Sequence, residues 1–273
     1  MKYVYKFSAM STPCELIIYE AQKNRADTLA ESVVMEVKRL EKKYNYYNTN
    51  SYLSLINTRK ECRLDQESKM LLQRAKQYYS LTNGIFDITM ATLKPLFTSE
   101  TSLSELAEKK AGLLPFVGCE HFEIKKDKII FDNEYTQIDL GGFVKEYAVD
   151  RAALIIKKKK IKSALINFGG DIYAIGKNPN GERFKIGIKD PHKPEKHIEY
   201  VEIEDQALTT SASYERNYTI EKEQFSHIIS KNENLKMPYS VTVISPTCVE
   251  CGVYSTALMI EPTLKHNNRA IIY

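Results

Sequence analysis

The stretch SALINFGGDIYAIG (residues 163–176) constrains the fold most, because two apolar runs of strand length meet at a Gly-Gly turn. NPNG (178–181) is the next turn signal, and RFKIGIKD (183–190) alternates like a strand with one buried face. Further strands are expected at 198–204, 214–220 and 240–245, a helix over 250–260, and a last strand in RAIIY. The first half mixes the two periods. CELIIYE (14–20) reads as a strand, and residues 27–43 carry Val33, Val37, Leu40 and Tyr44 at helical spacing behind an Asp27 N-cap. A second helix starts near Asp65, buries Leu71, Ala75 and Tyr78, and stops at Asn83-Gly84. Ser102-Leu-Ser-Glu105 is a capping box, and HFEIKKDKIIFD (121–132) reads as a hairpin. Strands outnumber helices and come in runs, which points to the α+β class rather than a doubly wound sheet. Nothing marks a linker or a repeat, so one domain is expected over 1–273.

Hydrophobic residues make up 43% of the 273, enough for a substantial core. The formal charge of +4, from 39 basic and 35 acidic residues, is too mild and dispersed for a nucleic-acid partner but tolerates a phosphorylated ligand. No apolar run has the length of a signal peptide or a membrane span. Five scattered cysteines do not form a disulfide framework, which places the chain in a reducing, cytoplasmic setting.

Four segments could carry chemistry. In IDLGGFVKEYAVDRAALIIKKKK (138–160) a strand end, a Gly-Gly turn and an amphipathic helix follow one another. Glycines let backbone N–H groups approach a ligand, the helix N-terminus favours an anion, Lys145 adds a full charge, and Asp139 could accept a hydrogen bond from a ring or sugar. An ordinary strand-to-helix turn with a solvated lysine explains the same pattern, and the spacing fits neither a dinucleotide fingerprint nor a P-loop. Gly169-Gly170 reads as a tight turn or bulge. His227, beside a hydroxyl and two isoleucines, reads as structural when taken alone, and Ser211 lacks an acidic neighbour of triad character. Cys248-Val-Glu-Cys251 has the spacing of half a zinc site or a dithiol pair. It has no second ligand pair and no thioredoxin-like context, so two small core residues is the simpler reading.

Taken together and in order, the motifs resemble the ApbE family, the FAD:protein FMN transferases. They are AMST (9–12), YNYYNTNSYLSLIN (44–57), NGIFDITMATLKPLF (83–97), IDLGGFVKEYAVD (138–150), ALINFGGDIYAIG, IGIKDP, TTSASYER, FSHII and SVTVISPTCVECGVYSTAL. The resemblance implies a T-fold-like mixture of mostly antiparallel sheets with packed helices. It also implies a reaction in which FAD and Mg²⁺ are used to join FMN, through a phosphodiester, to a threonine of an acceptor flavoprotein carrying an Asp/Ser-Gly-x-Thr motif, with release of AMP. Some members hydrolyse FAD instead. Carried over position by position, it implies flavin or adenosine contacts at Met10, Tyr47, Ile85, Phe86, Asp87, Asp139, Lys145 and Ile229, with His227 as the base.

For Mg²⁺ the resemblance implies Gly142, Ser255 and Thr256, together with an aspartate four residues before Thr256. That position is Gly252 here, so the charged ligand is missing. Glu146 stands where the family has glycine, and Ser230 where it has aspartate. Glu250, Asp171 or a cysteine are the candidates to replace the missing ligand, and an aspartate restored at 252 is expected to raise activity. Two further readings remain at this level: a diverged FAD-binding protein without transfer activity, and an FAD pyrophosphatase.

Overall fold

The computed structural model describes residues 1–98, 101–193, 195–213, 217–221, 223–226 and 237–273. The strands are β1 (Lys2–Ala9), β2 (Thr12–Tyr19), β3 (Phe122–Lys125), β4 (Lys128–Phe131), β5 (Ser163–Phe168), β6 (Asp171–Gly176) and β7 (Phe184–Lys189). They continue with β8 (His197–Ile203), β9 (Ala207–Ala212), β10 (Asn217–Ile220), β11 (Glu223–Ser226), β12 (Ser240–Ser245) and β13 (Arg269–Ile272). The helices are α1 (Lys23–Tyr44), α2 (Tyr52–Asn57), α3 (Gln66–Leu81), α4 (Leu103–Leu113), α5 (Gly141–Lys158) and α6 (Cys248–Ile260), with a 3₁₀ segment at Ile88–Leu96. A seven-stranded sheet runs β1-β2-β5-β6-β9-β12-β13, every pairing antiparallel. The hairpins β3–β4, β7–β8 and β10–β11 pair outside it. This is the α+β architecture expected from the runs of strands.

The middle of the sheet is covered on both faces. Helices α5 and α6 pack on one side, with Ala148, Ala152, Ile156, Val253 and Ala257 buried in the main core. On the other side the β7–β8 hairpin packs Phe184, Ile186, Ile188, Val201 and Ile203 against Ile172, Ala174, Leu208 and Ile244. Strands covered on both faces need apolar residues throughout, which is why β6 and β12 are buried almost continuously while β2 and β5 alternate. Each fully buried Leu, Ile or Val of this core contributes about 1.5–3 kcal/mol of transfer free energy.

Two tight turns sit side by side at one end of the sheet. Met10 and Ser11 link β1 to β2, and Gly169 and Gly170 link β5 to β6, all four with positive φ. At Gly169 a Cβ would fall 1.9 Å from the Thr12 hydroxyl, so the second turn requires glycine to approach the first. The Gly169 amide donates to the Pro13 carbonyl at 2.9 Å and ties the turns together.

Several expectations are corrected. Helix α1 starts at Lys23 with Gln22 as N-cap; Asp27 lies inside it and accepts from Lys23 at 2.8 Å and from the Tyr5 hydroxyl of β1 at 2.8 Å. Residues 138–140, expected as a strand end, form no strand. Strand β10 bears out 217–220 of the strand expected at 214–220, and residues 214–216 lie outside the described residues. Asp65 does cap α3 through the Ser68 amide, and Ser102 and Glu105 form their capping box.

Candidate functional site

The segment leading into α5 is held by side chains rather than by a sheet. Asn57, in the last turn of α2, grips Ile138 at both ends of its peptide: the side-chain amide donates to the Ile138 carbonyl at 2.8 Å, and its oxygen accepts from the Ile138 amide at 2.9 Å. The Asp139 amide donates to the Ile88 carbonyl at 2.9 Å, which sets Asp139 beside the segment that begins at Asp87. Asp139 then accepts from the Gly141 amide at 2.8 Å and starts α5. Its other oxygen pairs with Lys94, whose ammonium lies over the rings of Tyr46 and Tyr47 at 5.1 and 5.7 Å. Tyr47 is 74% exposed, an unusual state for an aromatic ring. Asp87 accepts from the Thr89 amide at 2.8 Å and caps the 3₁₀ segment, while Phe86 is buried against Phe143 with ring centres 6.0 Å apart. Ile85 is half-buried, and Met10 donates its amide to Glu41 of α1. Lys94 escaped the sequence reading although it lies inside a quoted motif; its only local signal is a lysine in an otherwise apolar segment.

Around the turn formed by Gly169 and Gly170 a second cluster begins. Lys145 pairs with Asp171 at 2.7 Å; Asp171 is 1% exposed. Burial alone would push the Lys145 ammonium down, but Asp171 and then Glu146 outweigh it and hold the group charged. Glu146, next along α5, is also buried, and its carboxyl is pushed up to about 8, first by burial and then by Asp171. Its Oε2 atom has no hydrogen-bond partner among the described residues. The side chain lies against Gly252 of α6, where a Cβ would come within 2.6 Å of Glu146 Cγ and 2.9 Å of its Cδ.

The acidic and sulfur groups nearby are otherwise engaged. Asp150 accepts from the amides of Cys248 and Val249 at 2.7 and 3.1 Å, capping α6 from the neighbouring helix. Burial raises its carboxyl to about 6, and the two amides restrain the rise. Glu250 accepts from the Ser245 hydroxyl at 2.6 Å. The Ser255 hydroxyl bonds Ser211 on β9 at 2.8 Å and the Gly252 carbonyl at 3.2 Å, so its side chain faces the sheet. Cys248 and Cys251 are free, fully buried thiols raised by burial, with Cys248 against Thr209 at 3.4 Å. The pair is core packing, and no group of three His, Cys, Asp or Glu among the described residues could hold a metal. Of the candidate replacements for the missing carboxylate, Asp171 pairs with Lys145, Glu250 accepts from Ser245 through one oxygen, and the thiols lie in the core. His227 and Ile229 lie outside the described residues.

The paired turns lead to Asp171, Asp171 pairs with Lys145, and Glu146 of α5 lies on Gly252 of α6, which connects Met10, Lys145 and Gly252. Gly142 stands at the start of α5 and Thr256 one turn further along α6. Asp139, Tyr47, Phe86 and Asp87 form the neighbouring set at the start of α5.

A family model described as the ApbE family matches residues 10–269. The FAD:protein FMN transferase of Chlamydia pneumoniae is 26% identical over 245 residues, covering 85% of this chain and 76% of the relative. That of Vibrio cholerae is 24% identical over 259 residues, covering 89% and 77%. That of Escherichia coli K12 is 29% identical over 194 residues, so this chain covers only 54% of that relative. Among solved structures, the ApbE protein from Thermotoga maritima superposes with a TM-score of 0.85 at 26% identity, over 95% of this chain and 87% of that one. The flavin transferase ApbE from Vibrio cholerae gives 0.82 at 19% identity, over 100% and 97%, a likeness of fold.

Proposed function

The chain belongs to the ApbE family, and from that premise we propose that it is an FAD:protein FMN transferase. The observation that carries the reading is the clustering of separate motifs around α5: the turns of Met10 and Gly169, the Lys145–Asp171 pair and the facing residues of α6. In this reading the exposed ring of Tyr47 and the apolar side chains of Ile85 and Phe86 hold the flavin, and Asp139 and Asp87 accept its polar hydrogens. Ile229 is included in this reading on the family resemblance alone. Lys145, fixed by Asp171, directs its charge toward the diphosphate, beside an α5 N-terminus whose glycines admit an anion.

The acceptor threonine hydroxyl attacks the FMN phosphorus of FAD. The bond from that phosphorus to the bridging oxygen breaks, AMP leaves, and His227 takes the hydroxyl proton. FAD and the threonine become FMN-threonine and AMP, so atoms balance.

The residues present fit Mg²⁺. A buried carboxylate oxygen without a partner, on Glu146, stands beside the helix turn of Gly252 to Thr256, and Mg²⁺ takes hard oxygen donors. The Gly142 carbonyl, a Ser255 backbone oxygen and the Thr256 hydroxyl would complete the protein's share. Bound there, the ion neutralises charge on the diphosphate.

The acceptor is proposed to present an Asp/Ser-Gly-x-Thr segment. The five free thiols suit a cytoplasmic setting, and no helix among the described residues is long and apolar enough to cross a membrane.

The test incubates the protein with FAD, Mg²⁺ and such an acceptor. Covalent, acid-stable flavin on the acceptor, lost in His227→Ala, is expected. FAD binding with neither transfer nor AMP release would overturn the reading, and AMP release without flavinylation would make the chain a pyrophosphatase.

A further inference from the structure

We infer that Glu146 is the cation-binding carboxylate of this chain, and that Glu146 and Gly252 form a reciprocal pair in which the acid is carried by α5 instead of α6. The inference rests on the transferase reading for the identity of the cation; the geometry stands apart from it.

The first argument is position. Glu146 follows the kink at Gly142 by four residues on α5, and Gly252 precedes Thr256 by one turn on α6, where residues four apart share a face. The two faces meet where Glu146 lies on Gly252. The second is space. A Cβ at 252 would fall 2.6 Å from Glu146 Cγ, 2.9 Å from Cδ and 3.0 Å from Oε1, so the glutamate occupies the volume a side chain at 252 would need. A side chain at 252 would need Glu146 to leave the position it holds.

The third argument is charge. Taking an ion out of water costs several kcal/mol unless it is paired. Glu146 is 5% exposed and its Oε2 has no partner among the described residues, while the adjacent Lys145 is committed to Asp171 at 2.7 Å. Asp150 serves the α6 amides and Glu250 serves Ser245. Glu146 is therefore the acid of this helix pair that has a fully buried oxygen without a partner among the described residues.

This changes what restoring the missing aspartate should do. An aspartate placed at 252 would displace Glu146 from where it lies, so on this inference Gly252→Asp alone should not raise activity, and the gain should need the paired change.

The experiment measures Mn²⁺ binding to the full chain with FAD, from the electron paramagnetic resonance of free Mn²⁺, and follows folding by circular dichroism. Glu146→Gln keeps the volume and should weaken Mn²⁺ about 100-fold, at least as much as losing an outer-shell partner. Gly252→Asp should also bind weakly. The double variant Glu146→Gly with Gly252→Asp should recover to within about 10-fold of the parent, a non-additivity that contact pairs show. Parent-like Mn²⁺ binding in Glu146→Gln, no Mn²⁺ binding by the parent, or a folded double variant no better than Glu146→Gln would each overturn the inference. Flavin transfer is assayed in parallel. If the parent transfers nothing while Mn²⁺ follows the expected pattern, the transferase reading fails and the inference stands. If Glu146→Gln transfers FMN at the parent's Mg²⁺ requirement, the inference fails and the reading stands.

Discussion

The two ends of α5's neighbourhood solve the same problem, a carboxylate out of water, in opposite ways. At Asp139 the charge is satisfied internally: Lys94 on one oxygen, the Gly141 amide on the other, and two tyrosine rings beneath the ammonium. At Glu146 one oxygen is left without any partner among the described residues, although Lys145 is next to it in sequence. The first arrangement is complete in the protein alone and reads as preorganisation of a binding surface. The second leaves a buried acid oxygen without a partner among the described residues, which is the observation the proposed cation site rests on.

The sharpest way to break that contrast is to remove Lys145. It neutralises Asp171 in a dry setting, and deleting one partner of such a pair leaves an uncompensated charge beside a second acid. Lys145→Ala should cost about 3–5 kcal/mol in denaturant unfolding, and Lys145→Ala with Asp171→Asn should regain most of it. A loss below about 1 kcal/mol would mean the pair is solvated and the site less dry than drawn.

A smaller effect separates capping from charge at Asp150. Its carboxyl stands near 6 instead of 3.8, raised by burial against the restraint of two amides and Arg74, and it in turn raises Glu146, Cys248 and Cys251. A raised folded-state value means stability from this group is full below about pH 4 and is lost as pH climbs through about 6, about 3 kcal/mol in all. Asp150→Asn cannot ionise, so its deficit relative to the parent should shrink by that amount between pH 4 and 7. Parallel stability curves would show that the group titrates normally.

These contrasts explain what could be read in the sequence. The turn at Gly169 and Gly170, the caps at Asp65 and Ser102, and the strands with alternating or continuous apolar character are local, and local rules find them. Strand β9, with its small polar residues ALTTSA, is a strand because β6 and β12 pair with it from both sides; Thr210 and Thr242 even share a hydroxyl contact at 2.8 Å across the ladder. Asp27 looks like a cap in sequence and becomes a partner for Tyr5, since tertiary contacts outrank capping preference. The substitutions at 146 and 252 were each visible as departures from a family pattern, but their compensation depends on how α5 packs on α6. Only coordinates place one against the other.

The mildest prediction concerns the completed end of the site. Tyr47 presents its ring to solvent while Tyr46 packs edge-on against it at 5.3 Å and donates its hydroxyl to Gln137 at 2.7 Å. Tyr46 is therefore part of the frame and Tyr47 the surface that the frame offers. Stacking of one aromatic pair is worth about 0.5–1.5 kcal/mol beyond area burial, so Tyr47→Ala should weaken FAD binding about 2- to 10-fold. Thermal stability should stay with the parent, because an exposed ring contributes little to the core. Tyr46→Ala should instead lower stability, through the lost Gln137 contact and the cavity beneath Lys94. Measured by flavin fluorescence and by melting, the two tyrosines should separate cleanly. If Tyr47→Ala melts early and binds FAD like the parent, the ring is structural and the flavin lies elsewhere.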